Sequence, residues 1–396
     1  MATFLSEETE RPRSLRFHPL LRQFLPEYLE RTGTGLLPRQ RQVLQKILRC
    51  RTPALGGQLY ACQPCQRFHY RYHSCNDRHC PQCGDHDTRQ WLANQQRLLV
   101  SATHFLFTFT VPEKLRAWIH AHPKLGYDLL FAASSQALQD VAAHPRHLGG
   151  QLGMMGVLHT WSRTLIFHPH IHYFIPGGAL SQDDRSWIPA RHKFLLPIKV
   201  LSLRIRTLFR QRLEEQAPEL LKLVPPKVWR QPWIVHGKAT GAGDRTLAYL
   251  ARYIFKTATA NRQLSLLPDG RVPWPYKDSA TGKFLAVKLH PDELIRRFVQ
   301  HLLPQGYCRV RCFGWLHPAA KARLNRIRAL LKQAPLLGAR EQAAWQLPEE
   351  LLPEEPPAPT PTPPAPNCPH CQKPMQLFGA WFAGSPVPRP DQARAP

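Results

Sequence analysis

Acidic side chains are scarce in this chain: 27 Asp and Glu stand against 53 Lys and Arg in 396 residues, a formal charge of +26. The shortage argues against a metal centre assembled from clustered carboxylates. Long apolar runs are missing as well, and none approaches the ~18–20 residues that a membrane span requires. The first sixteen residues, MATFLSEETERPRSLR, are charged throughout and lack the apolar core of a secretory signal. These absences predict a cytoplasmic, nucleoid-associated protein with no membrane partner. In such a reducing compartment, ten cysteines suggest metal before disulfides. What is abundant is positive charge, and an excess of this size points to a polyanion, most commonly nucleic acid. A hydrophobic content of 43% fits a globular chain long enough for two or three domains.

Three zones follow from the pattern. Residues 1–100 read as helices flanking a cysteine-rich knot, with amphipathic runs at 39–50 and 87–100. Residues 101–335 alternate strands and helices. Strands are expected at 104–111, 153–161, 170–176 and 232–238, and helices at 113–122, 124–144, 199–216 and 244–258, the last with Asp244 as N-cap. The resulting β-α-β-β-α-β-α order matches a ferredoxin-like split unit with one extra helix, an α+β fold. A basic stretch then runs to 335 and contains Arg296, Arg297, Arg309 and Arg311, candidate phosphate contacts. Residues 336–396 read as a linker and disordered tail: eight of the fourteen residues at 353–366 are proline, and a lone CPHC half-site follows at 368–371.

Cys62-x-x-Cys65, fourteen intervening residues and Cys80-x-x-Cys83 come close to zinc-ribbon spacing. Each turn aims two thiolates at one point, and four thiolates close a tetrahedral shell that holds structure and performs no chemistry. Cys75 and His79 are possible substitute ligands.

FHPHIHYF (167–174) is the most informative run. On a strand His168, His170 and His172 share a face, because side chains alternate. Pro169 leaves His168 at the strand entry, so His170 and His172 form the better metal pair. His159, on the preceding antiparallel strand, and His168 are rival third ligands. Tyr249 and Tyr253 lie one helical turn apart. Lys256 follows at i+3 from Tyr253, which favours Tyr253 as the first nucleophile, and Arg252 and Arg262 add cations nearby. A tyrosine oxygen can attack phosphorus and keep the cut end covalently. A lysine can neutralise or protonate the leaving oxygen, and Trp161 and Tyr173 are candidates for base stacking.

Six strings, in order, carry a resemblance over about residues 20–335: CRTPALGG (50–57), SCNDRHCPQC (74–83), LHTW (158–161), HPHIH (168–172), YLARY (249–253) and LIRRFVQHLLPQGYCRVRCFGW (294–315). The chain resembles the two-tyrosine HUH transposases of the insertion-sequence-91 family. The resemblance implies a ferredoxin-like HUH endonuclease domain behind a small zinc-binding helical domain. It implies a rolling-circle transposase that nicks single-stranded DNA at transposon ends and transfers the strand through a 5′-phosphotyrosine. It casts His170 and His172 as the catalytic metal pair, with magnesium or manganese, and Tyr249 and Tyr253 as paired nucleophiles. The region from Cys62 to Cys83 becomes the structural zinc domain. A non-catalytic zinc-containing DNA-binding protein would explain the charge and the cysteines, but it leaves His170, His172, Tyr249 and Tyr253 without a task.

Overall fold

The computed structural model describes residues 13–83, 85–191, 193–254, 263–278, 281–334, 336 and 365–388. Its centre is a five-stranded sheet: β1 (His104–Thr110), β2 (Gly153–Trp161), β3 (Phe167–Pro176), β4 (Ile234–Gly241) and β5 (Val310–Gly314). The strand order is β4-β1-β3-β2-β5, and every neighbouring pair is antiparallel. The first four strands therefore have the 4-1-3-2 order that a ferredoxin-like unit requires. The fifth, drawn from the basic stretch, is added beside β2.

Two long helices, α1 (Pro123–Ala143) and α2 (Ile198–Gln216), cover one face of the sheet. Strand alternation explains why that face is buried: Phe105, Phe107 and Phe109 of β1 and Ile171, Tyr173 and Ile175 of β3 all point into one apolar cluster with the helices. The intervening residues point the other way. There Leu106, Met155, Val157 and Phe174 meet Leu247 and Leu250 of a third helix, α3 (Asp244–Ile254). Gly243, at φ +97°, sets the entry of α3, and a Cβ there would lie 2.7 Å from the Phe174 ring and 2.9 Å from that of His104. Only glycine lets the chain turn so close to the sheet.

The N-terminal region departs from the helical expectation. Helices Phe17–Thr32 and Pro38–Arg49 are present, but a β-hairpin, Gly56–Cys62 with Arg67–Tyr72, stands between them and the later cysteines. The two helices bury Phe17, Leu21, Leu44 and Ile47 against Trp274, Leu294 and Phe298 from the C-terminal part of the chain. A second hairpin that the sequence reading passed over, Val272–Lys277 with Phe284–Leu289, supplies Trp274.

The tail corrects a further expectation. Residues 365–388 are ordered, and strand Gln376–Phe382 pairs antiparallel with Gly56–Cys62, extending the N-terminal hairpin to three strands. Residues 337–364, with most of the proline run, lie outside the described residues.

Candidate active site

Register brings the histidines together. On the face opposite α1 and α2, His159 of β2 lies directly across from His170 of β3, and Thr108 of β1 lies across from His172. One ligand nitrogen from each of His159, His170 and His172 falls within 4.8 Å of the others. His159 is thus the third member of the group. His168 stays outside it, and its backbone carbonyl instead accepts a 2.6 Å hydrogen bond from His170 Nδ1. With its proton on Nδ1, His170 directs the Nε2 lone pair into the cluster. Thr108 Oγ1 holds His172 Nδ1 in the same way at 2.8 Å. Trp161 stacks on His159 with centroids 5.2 Å apart and planes 8° from parallel.

Burial keeps these imidazoles neutral, as metal ligation requires. It pushes His170 down to about 4 and His172 to about 3, the latter with help from His170 and Lys238. His159 is also lowered well below the usual imidazole range, by burial and then by its two histidine neighbours. Three convergent neutral nitrogens, each turned by a partner or a stacked ring, fit a divalent transition ion.

Helix α3 carries Tyr249 to this cluster. Leu247, Leu250 and Ala251 are buried, which turns Tyr249 to the rim, where it is 42% exposed with its ring centroid 6.4 Å from that of His172. Tyr253 follows on the same helix, but its side chain and that of Arg252 lie outside the described residues, as do Lys256 and Arg262 entirely. Thr108, His236, Lys238 and Arg116 are site residues that sequence reasoning passed over. His236 and Lys238 of β4 are registered with Thr108 and Leu106, so they share the histidine face, and both are exposed. Arg116, just beyond β1, acts electrostatically on His168 and His170. The alternation of polar residues in IVHGKATG was the available signal.

Several expected contacts with nucleic acid have other tasks. Tyr173 is fully buried on the helix-covered face, with its hydroxyl bonded to Ser134, so it cannot stack on a base. Trp161 is 9% exposed and packs on His159. Arg309 is buried, with its guanidinium over Trp161 at 5.6 Å. Arg311 pairs with Asp128, and Arg296 and Arg297 both pair with Glu293. Burial takes Arg309 out of the pool of exposed cations, whereas Arg296 and Arg297 share one carboxylate and Arg296 and Arg311 stay partly exposed.

The cysteines also regroup. Cys50, Cys75, Cys80 and Cys83 converge, with Cys50–Cys83 and Cys75–Cys83 sulfur separations of 3.8 and 3.9 Å. Bonds of about 2.3 Å to one tetrahedral zinc would space thiolates by about 3.8 Å, so the set fits a structural zinc. Cys62 and Cys65 are not part of it. They sit at the far end of the hairpin, roughly 20 Å of strand from its base at ~3.3 Å per residue. Cys50 and Cys75 flank that base, where Arg51 and His73 bond to each other and His73 to Gly56. Cys75 thus takes a ligand position, whereas His79 is engaged elsewhere. Its Nδ1 donates to Asp77 at 3.0 Å, and its Nε2 accepts from the Leu303 backbone at 3.1 Å.

Comparison with known proteins agrees with this architecture. A transposase zinc-binding domain matches residues 20–111, and a putative transposase domain matches residues 153–323. The chain is 37% identical over 301 residues to the putative transposase y4qJ of Sinorhizobium fredii, covering 72% of this chain and 76% of that protein. It is 28% identical over 298 residues to the transposase for insertion sequence element IS801 of Pseudomonas savastanoi pv. phaseolicola, covering 71% of each. No solved structure matches. A ferredoxin-like sheet behind a zinc domain, with these relatives, defines a DNA-processing enzyme of the transposase class. The chain belongs to the insertion-sequence-91 family of rolling-circle transposases. No helix among the described residues is long and apolar enough to cross a membrane.

Proposed function

We propose that this transposase nicks single-stranded DNA at transposon ends through a tyrosine of α3 and moves the strand as a 5′-phosphotyrosine. The observation that carries the reading is the placement of Tyr249 on the same sheet face as the three-histidine cluster, beside His172. The phenol releases its proton to solvent as its oxygen bonds to the scissile phosphorus, the bond from phosphorus to the 3′ oxygen breaks, and that oxygen takes up a proton. Lys256 is assigned to supply it. Because the new phosphodiester conserves the energy of the old one, rejoining needs no nucleotide cofactor. Tyr253, beside Lys256, is assigned the first attack and Tyr249, one turn away, the second, so that both tyrosines serve one phosphate in turn.

His159, His170 and His172 are the residues that would hold a divalent cation, which would offset the charge developing on the phosphate. Three imidazoles favour manganese over magnesium, which prefers oxygen ligands. Lys238, His236 and Arg116 border the cluster and would position the DNA backbone.

Labelled single-stranded transposon ends incubated with the protein and manganese should yield a covalent adduct in a denaturing gel, and less of it with magnesium. DNA binding without any adduct would instead favour a regulator that has lost catalysis.

A further inference from the structure

Cys62 and Cys65 are left over from the N-terminal zinc cluster, and Cys368 and Cys371 fall outside both stretches matched by the family. The two leftover pairs meet. All four sulfurs lie within 4.8 Å of one another, and Cys62 and Cys371, 309 positions apart in the chain, have sulfurs 3.5 Å from each other. We infer that Cys62, Cys65, Cys368 and Cys371 hold a second zinc ion, which clasps the C-terminal strand to the N-terminal hairpin.

Three independent features support a four-thiolate site. The first is backbone geometry. Of eight non-glycine residues with positive φ among those described, four directly follow a clustered cysteine: Arg51, Gln66, Asn76 and Gln372. A left-handed non-glycine residue is strained and persists only where something else holds the turn. Gln66 and Gln372 stand at matching places after Cys65 and Cys371, so the two C-x-x-C turns end in the same left-handed step.

The second is the composition of the local core. The apolar cluster under this junction consists of Tyr60, Cys62, Cys368 and Met375, with Cys65 and Cys371 packed against it. Four of these six residues are cysteines. So small a core cannot by itself order a segment, and a metal is the usual substitute.

The third is an outer partner. His69 Nε2 lies 3.5 Å from Cys368 Sγ, placed by its strand to donate a hydrogen bond to a thiolate. Such a contact is the usual companion of a structural metal ligand. Zinc rather than iron is assigned, since the set holds no redox role in the proposed reaction and four thiolates suit zinc well.

The ion would make the third strand of this sheet conditional on metal. Trp381 of that strand, packed edge-on to Tyr70 and Tyr72, is buried only while the strand is docked. The clasp also closes the chain on itself around the whole catalytic sheet.

Metal analysis of the full-length protein tests this directly. Wild type should carry about two zinc ions per chain, one for each four-thiolate cluster. C368S/C371S and C62S/C65S should each carry about one, and in both Trp381, buried in the docked strand, should become open to chymotrypsin. C75S should lose the other ion and leave Trp381 protected. About one zinc in wild type, two retained in either double variant, iron in place of zinc, or a disulfide among these four cysteines by thiol counting would each overturn the inference.

Discussion

The two faces of the central sheet are made by the same strands and have opposite characters. On one, Phe105, Phe107, Phe109, Ile171 and Tyr173 lock into α1 and α2 with almost no exposure. On the other, the alternate residues Thr108, His170 and His172 meet His159 and look toward Tyr249. A period of two therefore divides labour along a single strand, so that β3 anchors the fold with its odd-numbered residues and presents chemistry with its even-numbered ones. Such a sheet predicts that substitutions one residue apart will fail in different ways.

The largest effect should come from the packed face. Phe109→Ala leaves a cavity between sheet and helices and should cost about 3–5 kcal/mol in urea unfolding, while any folded fraction still nicks DNA. One position away in register, His172→Ala should do the reverse. Nicking should fall about a hundredfold or more, as when one preorganised group is lost from a reaction centre, with the urea midpoint and DNA affinity nearly unchanged. If both variants lose stability and activity together, the faces are not separate.

Thr108→Val sharpens the contrast within the polar face. It removes the partner of His172 Nδ1 and leaves the ligand atom in place. Manganese affinity should weaken by about 10–100-fold, and excess manganese should restore the rate. A rate that no concentration of manganese restores would show that Thr108 acts other than by orienting the ligand. The smallest effect belongs to Lys238, an exposed cation at the edge of the site. Lys238→Ala should weaken single-strand binding modestly and lower the slope of log affinity against log salt by about one. An unchanged slope would remove Lys238 from the DNA path.

Much of this division was legible in the sequence. FHPHIHYF alternates visibly, the strand order β-α-β-β-α-β follows from local pattern, and His159 was already one of two rivals for the third ligand position. What brings His159 rather than His168 into the cluster is pairing register, a bulged β2–β3 ladder that puts His159 opposite His170. No local pattern encodes that. The cysteine pairing was misread for a related reason. Spacing joined Cys62–Cys65 to Cys80–Cys83 because they are near in sequence, but an intervening hairpin carries the first pair away. The CPHC partner lies 303 residues beyond Cys65 and across a proline-rich stretch. For the arginines of 296–311, charge in a sequence does not reveal its partner. Glu293 and Asp128 lie beside three of them, and Arg309 is buried. Thr108 went unnoticed since a threonine in an aromatic strand has no signature until its neighbour across the sheet is known.

The central claim is that the polar face cuts DNA through a tyrosine of α3, and identification of the attacking residue tests it most directly. Full-length protein, labelled single-stranded transposon ends and manganese would be mixed, trapped, digested and analysed by mass spectrometry, beside Y249F, Y253F and the double variant. The account predicts a nucleotide bound through its 5′ phosphate to Tyr249 or Tyr253, with the first attack made by Tyr253 if Lys256 marks the initiator. The two single variants should differ from each other, and the double variant should form no adduct. A nucleotide on neither tyrosine, or adducts of normal yield from the double variant, would contradict it.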